Sequence, residues 1–145
     1  MRVDEWYPSA VRRMEVAALE TRHGEHDAAW RRDAAFDLHQ ATERLHHCLL
    51  LVLTQYSPKS HKLNFLRSQA EQLDARLTEV WPRSTKFEQR CFELLRRAYV
   101  EARYSPHYTI TAEELAWLGE RITHLQAAVK QACEERIAAL TVAAG

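Results

Sequence analysis

The chain has 145 residues, with 20 Lys+Arg against 20 Asp+Glu and a formal net charge of zero. That length suits one domain covering residues 1–145, large enough to bury a core without metal or disulfide help. The neutral balance argues against a dedicated nucleic-acid coat. The longest wholly apolar run, CLLLVL at residues 48–53, falls far short of the roughly 20 residues that span a bilayer, so no membrane partner is expected.

Cys48, Cys91 and Cys133 are odd in number, far apart and without a CxxC. Each sits in an apolar helical pattern, which reads as reduced core thiols in a cytoplasmic protein. The start, MRVDEWYPSA, lacks a signal-peptide layout. Only 3 Gly and 4 Pro interrupt a sequence rich in Ala, Leu, Glu, Arg and Gln, which points to an all-helical protein.

The first predicted helix runs from Pro8, suited to a first helical position, to His23, with Gly24 as its stop. Val11, Met14 and Ala18 mark its inner face. The second begins after the capping residue Asp27. It carries a three-four stripe through Ala35, Leu38, Thr42, Leu45, Leu49, Val52 and Tyr56, and Pro58 ends it after about 30 residues. Ala34, Ala41 and Cys48 widen the stripe, so this helix is expected to face several neighbours, a second copy of the chain among them. A shorter third helix follows, capped by Ser60, with Leu63, Leu66, Ala70 and Leu73 inside. ARLTEVWPRST reads as irregular. The fourth helix starts near Ser84 or Thr85, buries Phe87, Cys91, Leu94, Ala98 and Ala102, and ends before Pro106. The fifth opens on a capping box, Thr111 to Glu114, and buries Leu115, Leu118, Ile122, Leu125, Val129 and Ala132. No segment alternates like a strand. The predicted fold is an all-α, antiparallel up-and-down bundle of four long helices plus a shorter one.

Three segments then stand out in order: AAFDLHQATERLHHCLLLVL, SPKSHKL and YVEARYSPHYTITAEELAWL. Together they resemble HEPN domains: the His-Gln-Ala-x-Glu core of the second helix, the Pro-Lys-Thr-His-Asp-Leu loop after it, and the Ala-Arg-Tyr turn between the last long helices. The resemblance covers residues 34–130 and is nearest to HEPN modules found beside nucleotidyltransferases. It implies a helical bundle that dimerises, a nucleotide as ligand and a nucleotidyltransferase as partner. RNA is a less favoured partner.

In ribonuclease members of that family, an Arg is followed by His after four to six residues; here Arg103 and His107 are separated by three, with Pro106 between them. That spacing weakens, without removing, a metal-independent, toxin-type endoribonuclease reading with Arg103 and His107 as the catalytic pair. The favoured reading has no catalytic residue. His39 and Glu43 share a helical face, with Gln40 and Arg44 on the adjacent ridge. They form a polar pocket facing the Arg103 turn or a buried packing network. Arg103 is expected to be partly buried and to need Glu43 or Glu101 as its anion. Lys59 and His61 stand at a helix corner where phosphate could be held, and Ser60 equally suits a plain cap. Tyr99, Tyr104 and Tyr108 cluster at the turn, able to stack on a base or to rim a dimer interface. The expected ligand-binding set is therefore His39, Gln40, Glu43, Lys59, His61, Arg103, Tyr104 and Tyr108. His46 and His47 point about 100° apart on a helix, and His23 and His26 straddle a helix end; no metal site or cofactor is expected. A purely structural dimerisation bundle remains the third reading.

Overall fold

A computed structural model describes residues 3–144, with side chains from residue 5 onward. Among the described residues there are five α-helices and one 3₁₀ helix: α1 (Val3–His23), α2 (Ala28–Thr54), α3 (Leu63–Leu73), the 3₁₀ helix Ala75–Val80, α4 (Lys86–Tyr104) and α5 (Ala112–Ala144). No strand occurs among the described residues.

The starts of α2 and α4 lie where the capping residues dictate. Asp27 accepts hydrogen bonds from the backbone N–H groups of Ala29 and Trp30. Thr85 and Glu88 exchange both bonds of a capping box, and so do Thr111 and Glu114 at the head of α5. The second carboxylate oxygen of Glu114 takes the Arg90 guanidinium at 2.8 Å, tying that cap to α4.

Elsewhere the boundaries differ from the sequence reading. α1 begins at Val3, so Pro8 lies inside it; a proline this close to the N-terminus removes a single backbone bond. The buried residues of α1 are Ala10 and Ala17, with Val11 and Met14 half-buried and Ala18 exposed. α2 ends at Thr54, and Gln55 closes it in the left-handed region at φ 61°. Tyr56 therefore falls outside the helix and is exposed. Ser60 does not cap α3: its hydroxyl accepts from the Lys62 N–H, and the helix starts one residue later. Leu73 is exposed. The stretch expected to be irregular contains the 3₁₀ helix, begun by the Asp74 carboxylate on the Arg76 N–H.

α2 is the axis of the bundle and packs against α1, α3, α4 and α5. Arg13–Asp37 and Trp6–His47 contacts show α1 antiparallel to it. Arg32–Ala102 and Phe36–Tyr99 contacts show the same for α4. α1 is also antiparallel to α5, through Tyr7–Gln126 and the groove they share, which leaves α2 and α5 running the same way. The small residues Ala10, Ala17, Ala34 and Ala41, all fully buried, let α1 approach α2 closely. Leu45, Leu49, Leu95, Leu118, Ile122 and Leu125 fill the centre, each contributing about 1.5–3 kcal/mol of burial. All three cysteines are buried free thiols. The breadth of the apolar surface of α2 is thus accounted for within one chain. From residue 134 onward α5 is exposed: Glu135 is held by Arg76 of the 3₁₀ helix, and Ile137, Leu140 and Val142 beyond it face solvent. Among the described residues no helix is long and apolar enough to cross a membrane.

Candidate functional site

The polar ridge of α2 is arranged as a relay. Arg44 donates to the Gln40 side-chain oxygen at 2.7 Å. The Gln40 amide nitrogen then faces His39 Nδ1 at 3.4 Å. This places the His39 proton on Nε2, which is buried without a partner. His39 is fully buried, and burial followed by the neighbouring His61 lowers its titration to about 4, so it is neutral near pH 7. Glu43 Oε2 lies 3.8 Å from His39 Nδ1. Both atoms are acceptors, so this proximity is neither a hydrogen bond nor an ion pair.

The other oxygen of Glu43 meets His61. His61 Nδ1 donates to Oε1 at 2.5 Å, joining a 6 % exposed carboxylate to a 60 % exposed imidazole. The His61 ring also lies flat on Tyr99 of α4, with centroids 4.9 Å apart and planes 11° apart, and His39 touches the same tyrosine at 5.2 Å. The 57–62 loop is brought into register by His47, whose Nε2 donates to the Ser60 carbonyl and whose Nδ1 accepts from the Ser57 hydroxyl. His47 is fixed in turn by stacking on Trp6. His46 points away and donates to the Thr42 carbonyl at 2.8 Å. Both histidines of this pair therefore hold structure.

Beside His61 runs a groove of about 880 Å³, walled by the loop, the start of α3 and the middle of α4. Lys59, Lys62, Arg96 and Arg97 line it against one carboxylate, Glu101. Arg97 is engaged bidentately by Glu101, and Arg96 by Glu93 outside the groove. The lysine ammoniums form no ion pair among the described residues. Phe65, Tyr99 and Val100 add apolar surface, and Phe65 and Val100 are exposed.

The turn between α4 and α5 is held from α2. Arg32 donates to the carbonyls of Ala102 and Ser105, and Arg31 to those of Ile110 and Gly24. The Arg32 guanidinium satisfies carbonyls at the C-terminus of α4, where positive charge is favoured. Arg103 departs from expectation. It is exposed and, among the described residues, has no carboxylate partner; Glu43 serves His61 and Glu101 serves Arg97. Its guanidinium lies over Phe36 at 4.2 Å and near Tyr104 and Tyr99, so π faces hold it in place of an anion. Tyr104 is exposed. His107 stands exposed, its backbone N–H on the Ser105 hydroxyl. Tyr108 is 1 % exposed, with its hydroxyl donating to the Leu94 carbonyl at 2.7 Å and burial pushing its titration upward. It is a core residue and cannot offer its ring to a ligand.

The fold therefore brings His39, Gln40, Glu43 and His61 together around Tyr99. Lys59 lies on the adjoining groove, and the Arg103 guanidinium sits near the Tyr99 and Tyr104 rings. Arg103, Tyr104 and His107 do not line the groove. Sequence reasoning missed Lys62, Arg96 and Arg97 as groove cations, His47 as the loop anchor, and Arg31 and Arg32 as the clamps on the turn.

An all-helical bundle whose α2 presents a buried His/Glu pair to a loop histidine and a cationic groove is the class that fold and site define. The family model for the HEPN domain matches residues 3–132, and the chain belongs to that family. No curated protein matches it.

Proposed function

We propose that this HEPN domain binds a nucleotide in the groove between the 57–62 loop and α4, dimerises, and works beside a nucleotidyltransferase. Membership of the family supports a nucleotide- or RNA-related role in general. The observation that carries the nucleotide reading is the seat of His61, held by buried Glu43 and stacked on Tyr99 where the groove begins. Lys59 and Lys62 supply free positive charge for phosphates, and exposed Phe65 offers a face for a base. The partly exposed rings around Arg103 give its guanidinium a fixed position without using up its donors on a carboxylate.

Titration calorimetry with ATP tests this reading. Wild-type protein should bind it, and Lys59→Ala combined with Lys62→Ala should weaken binding by about a hundredfold or more, the loss expected for two charge-assisted contacts worth about 1.5–3 kcal/mol each. No heat or saturation at millimolar ATP would refute it. For dimerisation, the exposed apolar end of α5 is the supporting feature. Ile137→Glu with Leu140→Glu should convert a sedimenting dimer to monomer; a wild-type protein that is monomeric at micromolar concentration sinks that part.

A further inference from the structure

His61 has one ring nitrogen committed and one free. Nδ1 donates to Glu43, the ring plane is set by Tyr99, and the side chain is 60 % exposed beside the groove. A neutral imidazole so arranged presents Nε2 as a bare acceptor, which repels an oxyanion. The imidazolium presents an N–H donor, with the Glu43 carboxylate supporting its charge from behind. We propose that the groove takes a terminal phosphate group and that its binding draws a proton onto His61, making a carboxylate–imidazolium–phosphate relay. This rests on the nucleotide reading of the groove and names the phosphate as the group that His61 senses.

The charges around His61 fix the direction of the coupling. From α2, Glu43 favours its protonation, Arg44 opposes it, and His39 and His47 are kept from charging by burial. From α4, Arg96 and Arg97 are each matched by a glutamate, Glu93 and Glu101. From its own loop, Lys59 and Lys62 are unmatched and oppose it. A phosphate cancels those two lysines and adds an acceptor for Nε2, so both changes favour the charged ring. By linkage, the proton in turn favours the phosphate.

Calorimetry near pH 7 in buffers of different ionisation enthalpy, with ATP and with inorganic tripolyphosphate, measures the protons taken up on binding. The same titrations on His61→Gln, an exposed position, subtract the ligand's own titration. Wild type should take up more protons than the variant, by up to one per ligand. Its affinity should fall by up to about tenfold per unit of rising pH while that of the variant changes less. Glu43→Gln, if it folds, should shrink the difference. Binding of ATP with equal proton uptake in wild type and His61→Gln overturns the relay and leaves the nucleotide reading standing. Proton-linked binding of tripolyphosphate without binding of ATP supports the relay and overturns the nucleotide reading. No binding of either probe overturns both.

Discussion

Acid should unfold this protein through two buried histidines, and the size of the effect follows from their surroundings. His39 and His46 are almost fully buried. Each titrates near 6.5 in ordinary surroundings and near 4 here, chiefly because burial disfavours the charged ring. Between about pH 6.5 and about 4 the unfolded chain binds protons that the folded chain refuses, so stability is complete above that window and drains away as pH falls through it. At 1.36 kcal/mol per pH unit, either histidine withdraws about 3 kcal/mol by the bottom of the window, a large share of the 5–15 kcal/mol that holds a typical domain. Glu20 works the other way. Burial and the adjacent Asp37 raise its titration to about 8, so the folded chain keeps a proton there that the unfolded chain gives up. What it contributes is present below its ordinary pKa and is lost as pH rises through about 8. It is only half-buried, however, and solvent screens it. The histidines win, and urea titrations should show stability falling by about 2 kcal/mol from pH 6 to pH 5. His46→Asn keeps a donor for the Thr42 carbonyl but cannot titrate, and should roughly halve that slope. A flat profile over the window, or an unchanged slope in His46→Asn, refutes the reasoning.

Arg32→Ala removes the donors to the Ala102 and Ser105 carbonyls and should cost about 2 kcal/mol, lowering the melting temperature by about 5 °C, with faster amide exchange at the Tyr108–Ile110 turn; an unchanged melt would count against the clamp. Tyr108→Phe deletes the bond to the Leu94 carbonyl and should cost about 1 kcal/mol in denaturant titrations while ATP affinity stays within twofold. A large loss of affinity at constant stability would restore Tyr108 to the binding site.

The parts legible in the sequence were those fixed by near neighbours. Asp27, the Thr85 start and the Thr111–Glu114 box were readable because a cap satisfies N–H groups within three residues of itself. The stripes of α4 and α5 were readable because 3.6-residue periodicity is local. His39 and Glu43 shared a face for the same reason. What joined them to His61 was not, since the hydrogen bond crosses 18 residues and depends on His47 pinning the intervening loop. Arg103 was misjudged because a guanidinium can be held by rings as well as by a carboxylate. The competing pair was nonetheless visible: Arg97 and Glu101 stand at i, i+4, where they meet on the helix surface. Tyr108 also carried a signal. Tyr108 and Ile110 are buried while His107, Thr109 and Thr111 are exposed, a period of two that marks an extended segment packing one face on a core. Reading that stretch only as a turn hid it.

Stability and binding pull against each other along one helix. In the proposed phosphate site a charged His61 would favour an anion, while acid that charges His39 and His46 unfolds the bundle. His39 is held neutral chiefly by burial and in part by the charge of His61. A phosphate over His61 neutralises that charge at the groove and also stabilises the fold by mass action, by roughly 2.7 kcal/mol at a hundred times its dissociation constant. That gain is close to what one buried histidine withdraws. Ligand should therefore shift acid unfolding to lower pH in wild type and leave the unfolding of His61→Gln closer to its ligand-free course, with circular dichroism against pH as the measurement. An equal shift in both proteins would mean that the phosphate is held by the lysines without His61.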